Sequence, residues 1–159
     1  MRARLGMAAT LWELGDANAA LDHLEEMLWL DEDDRMGVRY ILVRYCLELE
    51  DDESLEELLE EYEDGSAEWL YTRALTLFRL DGESAEVNTA LDEAIDANPL
   101  IGPMLLHLKK LPRWIPNRLS ESQSSEALDY VSEYTGHWRS SHGALRWLRK
   151  RCTRRMASA

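Results

Sequence analysis

Apolar residues along the chain fall into paired stripes. Ala20, Leu24 and Met27, then Leu55, Leu59 and Tyr62, then Val87, Leu91 and Ala94 follow i, i+4, i+7 spacing, which lays each set along one face of an α-helix. A partner stripe precedes each: Met7, Ala8 and Leu11; Val38, Ile41, Leu42 and Tyr45; Tyr71, Ala74, Leu75 and Phe78. The first is the weakest, because Arg4 holds its leading place. Turn signals separate the partners at Gly15-Asp16, Glu50-Asp51 and Gly82-Glu83, 35 and then 32 residues apart. The blocks end at Asp31–Asp34, at Glu63-Asp64-Gly65 and at Asn98-Pro99, where proline cannot continue a helix. The pattern predicts three helix-turn-helix blocks over residues 1–99, with second helices over about 17–30, 52–63 and 84–97.

Beyond residue 99 the repeat lapses. Leu100–Lys110 reads as a shortened further helix, and Leu111–Pro116 as an extended connector held between two prolines. Ser120 and Gln123 have the spacing of a capping box for a helix carrying Ala127, Leu128, Val131 and Tyr134, with Gly136 as its stop. Ser141 is placed to cap a last helix bearing Leu145, Leu148 and Cys152. Residues 100–159 are therefore expected to pack with the repeats as one domain, Leu128, Val131, Leu145 and Leu148 covering the apolar end that a terminal repeat leaves bare.

The blocks resemble the tetratricopeptide repeat, whose signature W-x2-L-G-x2-Y…A-x3-F…P spans about 34 residues. The third block carries the resemblance best, through Tyr71, Ala74, Leu75, Phe78, Val87, Leu91, Ala94 and Pro99. The second needs one extra residue in its inner turn. Segments such as Gly37–Tyr40, Lys110-Leu111-Pro112 and Gly143–Leu148 also resemble bacterial repeat proteins similar to the suppression-of-tumorigenicity-7 family. The resemblance implies an all-α, right-handed superhelix of three such hairpins with C-terminal capping helices. It also implies a concave groove lined by the first helix of each block. Carried onto this sequence, the groove positions are Arg2, Leu5, Trp12, Arg39, Trp69, Thr72, Thr76 and Arg79.

Charge changes the picture next. The net charge is −13, but residues 1–108 hold seven Lys/Arg against 27 Asp/Glu while residues 109–159 hold 11 against four. An acidic body thus carries a basic tail. Within the body the arginines (Arg2, Arg4, Arg35, Arg39, Arg44, Arg73, Arg79) lie on or just before first helices, and the second helices carry acids without Lys or Arg. Two readings of this segregation stand side by side: arginines facing an anionic ligand in the groove, or arginines pairing with acids of the neighbouring second helix.

Candidate chemistry is sparse. His23, His107, His137 and His142 form no HExxH, and the chain has no GxSxG, P-loop or GxGxxG. Cys46 and Cys152 lie far apart on amphipathic stripes and read as packing residues in a reducing compartment. No apolar run approaches the roughly 20 residues that span a bilayer. The expectation is accordingly a non-catalytic, cytoplasmic protein-interaction module without cofactor or metal, holding a peptide or protein segment, acidic by the arginine reading. Nucleic-acid or anionic-surface binding through Arg146, Arg149, Lys150, Arg151, Arg154 and Arg155 is the alternative, and a metal-dependent enzyme the third. With no capping residue before Met1, the chain is expected to continue upstream or to self-associate through that end.

Overall fold

The computed structural model describes residues 2–62, 64–108 and 120–158, with side chains given through Arg155. The expected connector at 111–116, with Trp114, and the start at Met1 lie outside the described residues. Among those described, every regular element is a helix: α1 (Arg2–Glu13), α2 (Ala17–Leu30), α3 (Val38–Leu49), α4 (Asp52–Glu61), α5 (Ala67–Asp81), α6 (Ala85–Ala97), α7 (Ile101–Leu105), α8 (Glu121–Ser140) and α9 (Ala144–Ser158). The chain divides into two compact units, Met1–Leu58 and Leu59–Ala159.

In the first unit α1 packs on α2 and α2 on α3. The α1–α2 turn works because Gly15 takes φ +82° and the Asp16 carboxylate accepts the Ala19 N–H, satisfying a donor that the helix start leaves unpaired. Asp34 does the same for α3, its carboxylate accepting the N–H groups of Val38 at 2.6 Å and Arg39 at 3.2 Å. Ala8, Ala20, Leu24, Met27, Val38, Leu42, Val43, Cys46 and Leu47 are buried. On α3 the buried set departs from the expected stripe: Val43, Cys46 and Leu47 are interior, whereas Ile41 and Tyr45 are half-buried.

The second unit is built on the α5–α6 hairpin. Ser66 and Ser84 cap the two helices through the N–H groups of Trp69 and Val87, and Gly82 turns the chain at φ +72°. Tyr71, Ala74 and Leu75 on α5 and Val87, Leu91 and Ala94 on α6 are buried, as the stripes predict. Helices α8 and α9 pack on one another and on α5, and α9 packs on α6 and α7. Gly102 permits the α7–α9 approach, since a Cβ there would lie 3.1 Å from the Cys152 Sγ.

Three expectations for this region are corrected. The capping box of Ser120 and Gln123 is present, but Gly136 does not stop α8, which runs four residues further. The helix survives its glycine because a single such residue costs only about 1 kcal/mol and Tyr134 and Trp138 on either side are buried. Ser141 ends α8 rather than capping α9, its hydroxyl donating to the His137 carbonyl at 2.7 Å. The covering stripe on α8 is Ala127, Tyr130, Tyr134 and Trp138, and Leu128 stands 60% exposed.

Candidate functional site

One face of α5 is covered by the chain's own C-terminal helices. Glu126 on α8 accepts the Ala67 N–H at 3.0 Å, and the Tyr134 hydroxyl donates to Glu68 at 2.6 Å. The Tyr71 ring lies against Tyr130 (5.6 Å between centroids) and Trp138 (6.3 Å), while Phe78 stacks on Trp147 of α9 at 4.5 Å. Asn98, wholly buried, ties the layers together: its amide donates to the Gln123 carbonyl and Glu126, and its own carbonyl accepts from the Tyr71 hydroxyl. Burial pushes the phenols of Tyr71 and Tyr130 well up, so both stay neutral, Tyr71 donating to the Asn98 carbonyl and the Tyr130 hydroxyl accepting the Trp138 indole N–H at 3.0 Å.

That packing corrects three groove assignments. Trp69 is 2% exposed and its indole N–H donates to the Leu59 carbonyl at 3.2 Å. Thr72 and Thr76 are 1% and 0% exposed, the Thr76 hydroxyl donating back to the Thr72 carbonyl. A side chain this deep offers no surface to a ligand, so all three are core residues. Arg79 sits half-buried at the end of α5.

The basic tail is likewise engaged. Lys150 pairs with Glu83 at 2.7 Å, Arg151 with Asp92, and Arg155 with Asp96 at 2.5 Å and with the Asp92 carbonyl at 2.9 Å. The acidic face of α6 is thus matched by one face of α9, at the four-residue spacing that puts side chains on a common side. Lys150, Arg151 and Arg155, among the cations assigned to nucleic-acid contact, therefore face the chain's own carboxylates. Arg146 and Arg149 are exposed.

The remaining groove positions lie in the first unit. Arg2 is exposed at the start of α1, with Leu5 and Trp12 half-buried along it. Trp12 stacks on Tyr45 of α3, ring centroids 3.7 Å apart and planes within 10°. Tyr45 was expected on the core stripe rather than at a surface; its partner across the helices is what the sequence alone does not show. Burial raises the Tyr45 phenol, with Glu48 and Glu13 adding to the shift and Arg44 opposing it. Arg39 is turned to its own chain, its Nε 3.9 Å from the Asp34 carboxylate and its guanidinium 5.1 Å from the Tyr40 ring centre. Arg4 pairs with Glu26 at 2.5 Å and Arg35 with Asp31 at 3.1 Å. Of the two readings of the arginines, these three follow the pairing one, although Arg35 and Arg39 meet acids of the α2–α3 loop rather than of α2 itself.

Reactive groups are scarce at this surface. Burial pushes the thiols of Cys46 and Cys152 up to about 11, which keeps them protonated and poor nucleophiles near neutral pH. Among the described residues no three His, Cys, Asp or Glu side chains are grouped to hold a metal ion, and no helix is long and apolar enough to cross a membrane. No family model, curated protein or solved structure matches the chain.

Proposed function

We propose that the chain is a non-catalytic protein-interaction module of tetratricopeptide type, and that its first unit holds a protein or peptide segment against the α1–α3 face. The observation that carries this reading is the half-buried Trp12–Tyr45 stack. Two large rings held rigid against each other present contact area with little side-chain entropy left to lose on binding. Leu5 extends the apolar strip along α1. The corresponding places on α5 are filled from within, so the work of binding falls to the first unit. Because Arg4, Arg35 and Arg39 are engaged by the chain's own acids, we assign the face an aromatic grip and give its arginines no share in selecting an anionic partner.

The test is affinity capture from the native cell extract with the full chain, followed by direct binding of the recovered protein to purified variants. Trp12→Ala should weaken that binding by about 2 kcal/mol or more, the size of an interface hot spot. Trp12→Phe, which keeps a ring for Tyr45 to stack on, should restore much of it. Equal binding by wild type and Trp12→Ala would remove the face from the account. Binding lost in Trp12→Phe as well, with thermal stability intact, would show that the stack itself is not what the partner grips.

A further inference from the structure

The last turn of α2 carries a second surface that nothing in the fold uses. Trp29 is 79% exposed and Leu30 53%. The helix already buries Ala20, Leu24, Met27 and Leu28, so its core stripe is complete without them. A tryptophan left in water in this way gives up the contacts that make it the largest hydrophobic side chain available.

The charged residues of α2 itself are all acidic. Asp22, Glu25 and Trp29 stand at i, i+3 and i+7, on one face of α2, and all three are exposed. Glu26 lies one turn before Leu30, and Glu32 and Asp33 are exposed just past the helix end. The last turn contains no basic residue, and the carbonyl end of a helix adds partial negative charge. The nearby cations Arg4 and Arg35 pair with Glu26 and Asp31; Arg2 is exposed at the same end of the α1–α2 hairpin. The unit as a whole has five Arg and no Lys against 16 Asp/Glu, a balance of −11 out of the chain's −13.

We propose that this end of α2 docks a cationic amphipathic segment of a partner protein. A lysine or arginine of the partner lies over the Trp29 ring, where the ring face attracts a cation, with Asp22, Glu25 and Glu32 as flanking counter-charges. An apolar side chain of the same segment covers Leu30. Acidic surroundings repel nucleic acid and anionic lipid and speed the approach of a basic segment. This surface is separate from the Trp12–Tyr45 face and stands or falls independently of it.

Two short amphipathic peptides test the proposal by calorimetry on the full chain: one of lysine, leucine and alanine, the other with glutamate in place of every lysine. The lysine peptide should bind and the glutamate peptide should not. Trp29→Ala should raise the lysine peptide's Kd by roughly tenfold or more, and Glu25→Lys by a comparable factor, while Leu128→Ala leaves it unchanged. The melting temperature of Trp29→Ala should match wild type, since the ring is in solvent. A Kd indifferent to Trp29→Ala would mean general attraction to an acidic protein, and would overturn the site. So would binding of the glutamate peptide. Self-association of the wild type that disappears in Trp29→Ala would also overturn it, by showing that a second copy covers the ring.

Discussion

The tryptophans show how much a single residue's identity leaves undecided. Trp69, Trp138 and Trp147 are interior, and each indole N–H has an acceptor: the Leu59 carbonyl, the Tyr130 hydroxyl and the Asn88 side chain. Such pairing is required, because a buried donor left unmatched costs about 1–3 kcal/mol. Trp12 is half-buried and Trp29 stands in water. Helical spacing places a residue on a face; it cannot tell which faces find a partner. The small residues were more legible. Ala74 and Ala20, placed on the apolar stripes, are both fully buried. Ala74→Glu should therefore cost about 3 kcal/mol or more by burying an unpaired charge, and Trp69→Ala about 3–5 kcal/mol through the cavity it leaves. Thermal unfolding followed by circular dichroism checks both. A Trp69→Ala protein that melts like wild type would return Trp69 to the surface and restore it as a groove residue.

At the scale of helices, the turns at Gly15-Asp16 and Gly82-Glu83 and the Ser120 capping box were legible because they rest on local chemistry, whereas the caps Ser66 and Ser84 were not singled out and Ser141 was assigned to the wrong helix. Asp16, Ser66, Ser84 and Ser120 each accept the backbone N–H three residues on, and Gly15 and Gly82 supply the positive φ that their turns need. Register and helix ends set by packing were not. The α8 stripe of Ala127, Tyr130, Tyr134 and Trp138 was present in the sequence, but reading Gly136 as a stop cut it before Trp138. The pairing of α9 with α6 was foreshadowed only as an imbalance of charge between tail and body. It has a consequence in acid. Lys150 beside Glu83, and Arg4 beside Glu26, hold those carboxyls below the usual range, so the unfolded chain takes up protons first as pH falls. The stability these pairs contribute is fully present above the ordinary carboxylate pKa and is lost as pH drops through the depressed folded values. Urea midpoints measured from pH 7 down to pH 3 should fall for wild type, and Glu83→Gln, less stable at neutral pH, should fall by less. Parallel curves for the two proteins would show that the Lys150–Glu83 pair contributes nothing measurable, as some exposed ion pairs do.

At the scale of the whole molecule, the all-helical class was legible from periodicity alone, and so was the idea that the C-terminal segment serves the repeat before it. What periodicity could not show is that this segment covers a face of α5. The residues that do so (Glu126, Tyr130, Tyr134 and Trp138) have no counterpart in the repeat pattern that suggested a groove. Half of the expected groove, Trp69, Thr72, Thr76 and Arg79, thus falls in the unit closed by its own helices, while Arg2, Leu5, Trp12 and Arg39 fall in the other. Charge divides the same way, −11 on the first unit and −2 on the second. The central claim is therefore that binding belongs to the first unit. Hydrogen exchange of the full chain, with and without the protein recovered by affinity capture, tests it most directly. Amides of α1, α2 and α3 should gain protection on binding, with α5 and α8 unchanged. Protection gained on α5 together with faster exchange in α8 would contradict the account, because it would mean that a partner displaces the chain's own helix to reach α5.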